Sequence, residues 1–194
     1  MKNIKIVVDL DNTLLDATTP HLKYYNLASG LNFTKEDVIE FYIYRLYNWN
    51  KEERDRIYYE HGYNIHWESV PYLMSIETLN QLFMQHHITI MTARPSHYRD
   101  VTVKWLEYYG AKYHDLVFTE SKYSEFRNIE ADVLVDDAPH YAMEFSQVGT
   151  PVILFNQPYN DQIDNEYIYR ATSWKAVEEH IINLNKIVNK YMSK

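Results

Sequence analysis

The chain opens with an apolar run that ends in two acidic residues, and this run constrains the fold more than any other stretch. Ile4 to Val8 is rich in β-branched residues, which is typical of a strand buried on both faces of a parallel sheet. Asp9 and Asp11 follow where that strand should end. At about 4 Å and an effective dielectric near 20, two carboxylates repel by roughly 4 kcal/mol. A bound Mg²⁺ would relieve that repulsion, although solvated turn residues would also fit this motif alone.

Length and charge bound the class of protein. The chain has 194 residues, enough for one domain or for one domain with an inserted subdomain. Its formal net charge is −8, with 27 acidic and 19 basic residues. An acidic field opposes binding to nucleic acids and to anionic membranes, so we expect neither as a partner. A small molecule is the expected partner, and the sequence does not indicate an oligomeric state.

Scarce glycine and absent cysteine exclude several chemistries. Only four glycines are present, with no P-loop and no dinucleotide-binding fingerprint, so a phosphate site must use side chains and a metal. The absence of cysteine excludes disulfides, thiolate metal sites and cysteine nucleophiles. The sequence shows no signal-peptide pattern and no apolar run near the ~20 residues of a membrane span, so we expect a cytoplasmic protein.

Strand and helix patterns alternate along most of the chain. Five buried strands are predicted, at 4–8, 87–91, 116–118, 131–135 and 151–155. Helical patterns are predicted from Pro71 to about Gln85, around 98–108, through Met143, and from Trp174 to about Tyr191. This alternation predicts an α/β fold with a doubly wound parallel sheet.

The segment 18–70 differs from the rest because it contains no convincing buried strand. Thr34 to Tyr47 and Lys51 to Glu60 are predicted to be helical, with Gly62 as a stop. The segment is dense in aromatic residues, and we expect a small helical insertion over the mouth of the site. The candidates for substrate contact are Phe41, Tyr44, Tyr47 and Trp49. The alternative is that these rings only pack the insertion against the main domain.

Polar residues also follow the later strands. Thr92 ends the second strand, Lys122 lies in the connection after the third, and Asp136 and Asp137 end the fourth. Thr92 and Lys122 taken singly are typical of a turn residue and a solvated lysine. Together with the first acidic pair, at one edge of one sheet, these groups indicate a phosphate site with a metal.

The four motifs resemble those of the haloacid dehalogenase (HAD) superfamily of phosphohydrolases. The resemblance covers nearly the whole chain and implies a Rossmann-like core of residues 1–17 and 71–194, with a helical cap of residues 18–70. Segments 91–95, 135–139 and 154–160 look most like the 5′(3′)-deoxyribonucleotidase branch and its bacterial nucleotidase relatives. One departure is Asn12-Thr13, where the deoxyribonucleotidases used for comparison carry a Gly-Val pair.

The resemblance implies a role for each motif residue. Asp9 would be the nucleophile and form an aspartyl-phosphate, and Asp11 would act as general acid and then as general base. The implied metal is Mg²⁺, held by Asp9, the backbone carbonyl of Asp11 and Asp137, with Asp136 nearby. Thr92 and Lys122 would bind the phosphoryl group. Arg94 is expected to lie at the surface, and the alternative is a further contact with the phosphate.

Several functions remain open at this point. The expected one is hydrolysis of (deoxy)nucleoside monophosphates. Other HAD phosphatases act on sugar phosphates or phosphorylated cofactors, and a phosphotransferase could use the same intermediate. A non-catalytic binding protein of the same fold is a different class, which the intact acid Asp11 disfavours. The sequence does not specify the base, the sugar or the position of the phosphate.

Overall fold

A six-stranded parallel sheet forms the centre of the protein in the computed structural model, which describes residues 3–192, with side chains as far as residue 186. In chain order the strands are β1 (Lys5–Val8), β2 (Leu15–Asp16), β3 (Val70–Pro71), β4 (His87–Thr92), β5 (Asp115–Phe118), β6 (Val133–Asp136), β7 (Val152–Phe155) and β8 (Ile168–Ala171). Strands β2 and β3 pair with each other and are not part of the six-stranded sheet. The helices are α1 (Thr18–Ser29), α2 (Lys51–Glu68), α3 (Ser75–Phe83), α4 (Arg99–Tyr108), α5 (Lys122–Asn128), α6 (Pro139–Ser146) and α7 (Trp174–Met192).

The strand order places the first strand at the centre of the sheet. The order is β5-β4-β1-β6-β7-β8, and every pair is parallel. The carboxyl ends of β1, β4 and β6 are therefore neighbours, and the predicted α/β fold class is confirmed. The edge strand β8 was not predicted, because its sequence Ile-Tyr-Arg-Ala carries a charged residue in place of an apolar run.

Two buried tryptophans tie loops to the core. Trp174 is fully buried, and its indole N–H donates to the backbone carbonyl of Thr13 over 2.9 Å. Trp105 is also fully buried and donates to the carbonyl of Ser69 over 2.7 Å. Each ring buries a large apolar area while its N–H is satisfied. The first of these bonds fixes the loop that follows β1, which carries the acidic pair.

The segment between β2 and β3 has a hydrophobic cluster of its own. Its buried members are Leu22, Tyr24, Tyr25, Val38, Tyr47, Ile57 and Ile65. The prediction of a helix from Thr34 to Tyr47 is wrong: only short 3-10 turns form, at Lys35–Asp37 and Ile43–Tyr47. Thr34 and Asp37 complete a capping box around a single turn, and Asn48 adopts a left-handed φ of 54° that ends the second turn.

Gly62 lies inside α2 and does not end it. The helix continues to Glu68, and Gly62 is the point where it meets Tyr98. A Cβ atom at position 62 would lie 2.2 Å from the Tyr98 hydroxyl oxygen. That hydroxyl donates to the carbonyl of Tyr58 over 2.6 Å, so the ring is held in place. The glycine therefore serves close packing between the inserted segment and the sheet domain.

The helix predicted from Pro71 begins later, at Ser75. Residues Val70 and Pro71 instead pair with β2 as a short antiparallel ladder, and the N–H of Tyr72 continues it to the carbonyl of Leu14. As a result Leu73, which lies within the predicted helix, is outside α3 and 87% exposed. Strand pairing at the base of the insertion outweighs the helical pattern at this position.

Candidate active site

The carboxyl edge of the sheet brings the predicted site residues together. Asp9 follows β1, Thr92 ends β4, and Asp136 ends β6, with Asp137 next to it. All four are buried. Asp11 lies two residues beyond Asp9 on the same loop and is partly exposed. The parallel register of neighbouring strands produces this convergence, as open α/β sheets generally do.

Lys122 bridges two of the acids. It is the first residue of α5, not part of the preceding connection, and its side chain is buried. Its Nζ donates to Asp9 Oδ1 over 2.6 Å and to Asp136 Oδ2 over 2.7 Å. Burial alone would lower the pKa of Lys122, but the two carboxylates outweigh burial and raise it above its ordinary value. The expectation of a solvated lysine therefore does not apply.

Asp9 and Asp11 experience opposite environments. Burial raises the pKa of Asp9 to about 7, with Asp136 and Asp11 adding to the effect and Lys122 opposing it. Burial also acts on Asp11, but Arg94 outweighs it and holds the pKa of Asp11 well below its ordinary value. The two carboxyl groups therefore differ in how readily each ionises, and Asp11 ionises the more readily.

Arg94 corrects the expectation of a surface residue. Only 4% of Arg94 is exposed, and its guanidinium grips the Asp11 carboxylate with two parallel hydrogen bonds. The distances are 2.8 Å from Nε to Oδ2 and 2.6 Å from Nη2 to Oδ1. A third bond of 3.0 Å runs from Nη1 to the hydroxyl oxygen of Thr102. An arginine pairs with a carboxylate in this way because its planar fork matches the two carboxylate oxygens.

Asp136 and Asp137 have different partners. Asp136 accepts hydrogen bonds from Lys122 and from the backbone N–H of Ala138. In the described part of the chain, the Asp137 carboxylate accepts from two neutral hydroxyls, those of Thr13 and Tyr159. Burial and the neighbouring acids Asp136 and Asp9 raise the pKa of Asp137 well above its ordinary value. Among the described residues, Asp137 is thus the acid of this group that makes no ion pair with a cationic side chain.

The donor set fits a divalent cation. Carboxylate oxygens of Asp9, Asp136 and Asp137 lie within 4.8 Å of one another, and all three residues are buried. Together with Asp11, the cluster carries four acids against two cations, Lys122 and Arg94. When all four acids are ionised the balance is −2, and hard oxygen donors of this kind suit Mg²⁺.

Two site residues were missed by reasoning from the sequence. Asn12 adopts a left-handed φ of 57°, and its Oδ1 accepts from the backbone N–H groups of Ala17 and Thr18 at the start of α1. Its Nδ2 donates to the Tyr159 hydroxyl over 3.0 Å, and that hydroxyl donates to Asp137. Asn12 therefore links the acidic cluster to the inserted segment. Its position inside the first motif was a signal, whereas nothing in the sequence connected Tyr159 to Asp137.

The Thr92 hydroxyl lies at the wall of the site. Its oxygen accepts the backbone N–H of Arg94 over 3.2 Å. Among the described residues no acceptor takes the hydroxyl proton. A buried hydroxyl with a free donor at the sheet edge can bind an anionic oxygen.

A cavity of about 430 Å³ lies between the sheet edge and the inserted segment. Phe41 and Tyr44, two of the four candidates for substrate contact, lie on its wall, together with Tyr58, Arg54 and His21 from the helices. The structure corrects the prediction for Tyr47 and Trp49, which do not line the cavity. They stack on each other with ring centroids 4.8 Å apart inside the cluster of the inserted segment.

Comparison with known proteins decides the family. The family model for "5' nucleotidase, deoxy (Pyrimidine), cytosolic type C protein" matches residues 2–188. The chain belongs to this family. A nucleotidase of Clostridium acetobutylicum is 27% identical over 187 residues, which cover 91% of this chain and 93% of that protein. A Bacillus subtilis protein named "Putative nucleotidase YqfW" is 27% identical over 192 residues, 94% of this chain and 99% of its own.

Solved structures place the fold among HAD-like hydrolases. A haloacid dehalogenase-like hydrolase of Streptococcus pneumoniae superposes with a TM-score of 0.71 at 14% identity, covering 92% of this chain and 98% of that one. A HAD hydrolase of Bacillus subtilis described as bound to magnesium gives 0.63 at 14% identity, with 94% and 100% covered. Because the chain belongs to this nucleotidase family, it is a HAD-type phosphatase. Within the described residues no helix is long and apolar enough to cross a membrane.

Proposed function

We propose that this phosphatase hydrolyses (deoxy)nucleoside monophosphates with Mg²⁺, through an aspartyl-phosphate on Asp9, and that residues 18–70 act as the cap over the leaving group. The observation that carries the proposal is the state of the Asp9 carboxylate. Lys122 binds its Oδ1, whereas no donor in the described part of the chain binds Oδ2. One oxygen is thus fixed, and the other is free to attack a phosphate in the cavity that Asp9 lines.

The first half-reaction transfers the phosphoryl group to the enzyme. Asp9 Oδ2 forms a bond to phosphorus as the bond from phosphorus to the ester oxygen breaks. Asp11, once protonated, gives its proton to that departing alkoxide, which leaves as the nucleoside. Lys122 and the free hydroxyl of Thr92 stabilise the charge on the transferring phosphoryl oxygens.

The second half-reaction returns the enzyme to its starting state. Asp11, now a carboxylate, takes a proton from a water molecule as the water oxygen attacks phosphorus. The bond from phosphorus to Asp9 breaks, and inorganic phosphate leaves. Arg94 favours the ionised form of Asp11 that this step requires.

Asp9, Asp137 and the backbone carbonyl of Asp11 would hold Mg²⁺, with Asp136 beside them. The ion supplies charge neutralisation for the phosphoryl oxygens. The acidic cluster supports this assignment, because its net charge is opposite and equal to that of the ion when the acids are ionised.

We expect Asp137→Ala to raise the Mg²⁺ concentration for half-maximal activity far more than Asp136→Ala does. In the described structure the Asp137 carboxylate is bound by two neutral hydroxyls, whereas the Asp136 carboxylate pairs directly with Lys122. Isothermal titration with Mg²⁺, alongside activity, measures the effect without relying on turnover. Equal shifts in both variants, or a larger shift for Asp136→Ala, would reverse the assignment of the pair.

The cap wall supports a nucleotide as the substrate. Phe41 and Tyr44 present flat rings at the cavity, and the guanidinium of Arg54 lies 5.4 Å from the Tyr44 ring centroid. A nucleobase gains about 1–3 kcal/mol from stacking on such a ring, whereas a sugar phosphate gains less. The relatives named as nucleotidases support the same substrate class.

We expect higher kcat/KM for (deoxy)nucleoside monophosphates than for sugar phosphates or p-nitrophenyl phosphate. Phe41→Ala or Tyr44→Ala should lower kcat/KM for nucleotides by roughly 10- to 100-fold and leave acetyl phosphate hydrolysis nearly unchanged. Trp49→Ala is the matched control, since its ring lies in the cap cluster and its loss should affect thermal stability. A panel of monoesters in which sugar phosphates equal nucleotides would leave only a generic HAD phosphatase.

A further inference from the structure

Arg94 holds the Asp11 carboxylate with a pair of hydrogen bonds. We propose that Arg94 is a positioning residue that fixes the plane of the Asp11 carboxyl group beside the leaving oxygen, anchored in turn by Thr102. This inference rests on the proposed role of Asp11 as acid and base. It adds a residue outside the four motifs to the catalytic machinery.

The guanidinium group of Arg94 binds the carboxyl group of Asp11 at two points. Both oxygens of Asp11 are bound, one by Nε and one by Nη2 of Arg94. Two parallel hydrogen bonds restrict rotation of the carboxyl group, which a single bond would leave free. Proton transfer depends steeply on the position of the acid, so restriction of this kind contributes to rate.

The guanidinium group of Arg94 is itself held by Thr102. Arg94 Nη1 donates to Thr102 Oγ1, and the Thr102 hydroxyl donates to the carbonyl of Tyr98 over 2.9 Å. Thr102 is fully buried in α4 and does not line the cavity. The guanidinium thus has an attachment to a helix of the main domain as well as to Asp11.

The two acids of the first motif are held in different ways that suit different tasks. Lys122 contacts one oxygen of Asp9, which leaves the other able to attack. Arg94 contacts both oxygens of Asp11, which therefore keeps its orientation but is not a free nucleophile. A lysine is a point charge and an arginine a rigid fork, and the site uses each accordingly.

The test compares two substrates whose first steps differ in their need for an acid. A nucleoside monophosphate expels an alkoxide and needs a proton in the first step, whereas p-nitrophenyl phosphate expels a stable phenolate. Water attack on the intermediate needs Asp11 for both substrates. Rapid-mixing measurements of nitrophenolate and nucleoside release therefore separate the two half-reactions.

For Arg94→Met we expect kcat on nucleotides to fall about 100-fold or more, with KM within about threefold of the unmodified enzyme. With p-nitrophenyl phosphate we expect a first turnover within about threefold of the unmodified rate, seen as a burst equal to the enzyme concentration, followed by slow turnover. Arg127→Met, a change at an exposed arginine in α5, should alter neither.

Two further variants keep the proposal testable if Arg94→Met folds poorly. Arg94→Lys retains the charge but not the fork, and should recover only part of the lost nucleotide rate. Thr102→Val removes only the anchor and should show the same pattern with a smaller loss.

Loss of the nitrophenolate burst together with a raised KM would show that Arg94 binds the phosphate, and the positioning role would be wrong. Full activity in Arg94→Lys would also overturn it. Asp9→Asn separates this outcome from failure of the proposed function: substantial turnover in that variant refutes the aspartyl-phosphate whatever Arg94 does.

Discussion

Asp9→Asn is expected to lower phosphomonoester hydrolysis by roughly 10⁴-fold or more, because a carboxamide is a poor nucleophile toward phosphorus. The amide occupies the same space, and its oxygen can still accept the hydrogen bond from Lys122, so the fold should be retained. Steady-state assays on a nucleoside monophosphate, with circular dichroism as the folding check, measure both effects.

The matched control for this variant is Asp100→Asn, which removes an exposed carboxylate of α4 that pairs with Lys104. It should leave the rate unchanged. Turnover above about a hundredth of the unmodified rate in rigorously purified Asp9→Asn protein would contradict covalent catalysis by this residue.

Lys122→Met is expected to impair both turnover and stability. The methionine has a similar length but no charge, so Asp9 and Asp136 lose their shared partner. Removal of one partner from a buried ion pair destabilises by about 3–5 kcal/mol, and loss of a charge facing the transferring phosphoryl group slows turnover by about 10²–10³-fold. Urea unfolding without added metal and nucleotide assays with Mg²⁺ measure the two effects.

Lys122→Arg should not restore the rate, because a wide fork cannot replace a compact ammonium between two carboxylates in a buried site. Lys112→Met, at an exposed lysine before β5, is the control and should behave as the unmodified protein. Near-normal turnover in Lys122→Met would show that a different residue supplies the positive charge to the phosphoryl group.

The sheet and its acidic edge could be predicted because each rests on a local pattern. A β-branched run such as 4–8 is buried wherever it folds, and parallel strands bring their carboxyl ends to one edge. Asp9, Asp136 and Asp137 therefore had to converge once the strands were recognised. Their chemistry followed from residue type and position alone.

The contacts of long side chains could not be predicted in the same way. Arg94 follows the end of β4, and whether it turned to solvent or to Asp11 depended on the space behind it and on the hydroxyl of Thr102. Tyr159 reaches Asp137 from a short 3-10 turn, Pro158–Asn160. Such pairings depend on tertiary packing, which periodicity does not encode.

The aromatic residues of segment 18–70 show a second limit of prediction from the sequence. Phe41, Tyr44, Tyr47 and Trp49 lie close together in the sequence, yet only the first two line the cavity. The segment folds as short 3-10 turns, and a helix assumed there assigns the wrong faces. Composition predicted an aromatic cap, whereas the division of its rings between packing and the cavity required the backbone.

Identification of the phosphorylated residue tests the central claim most directly. Enzyme mixed with a nucleoside monophosphate and Mg²⁺, quenched in acid within the first turnover and digested, should yield a peptide that carries a phosphoryl group on Asp9. Arg94→Met, in which breakdown of the intermediate should be slow, is the preferred protein when the substrate is p-nitrophenyl phosphate. Phosphate released in the first turnover with no phosphorylated Asp9, or with the group on another residue, would contradict the account.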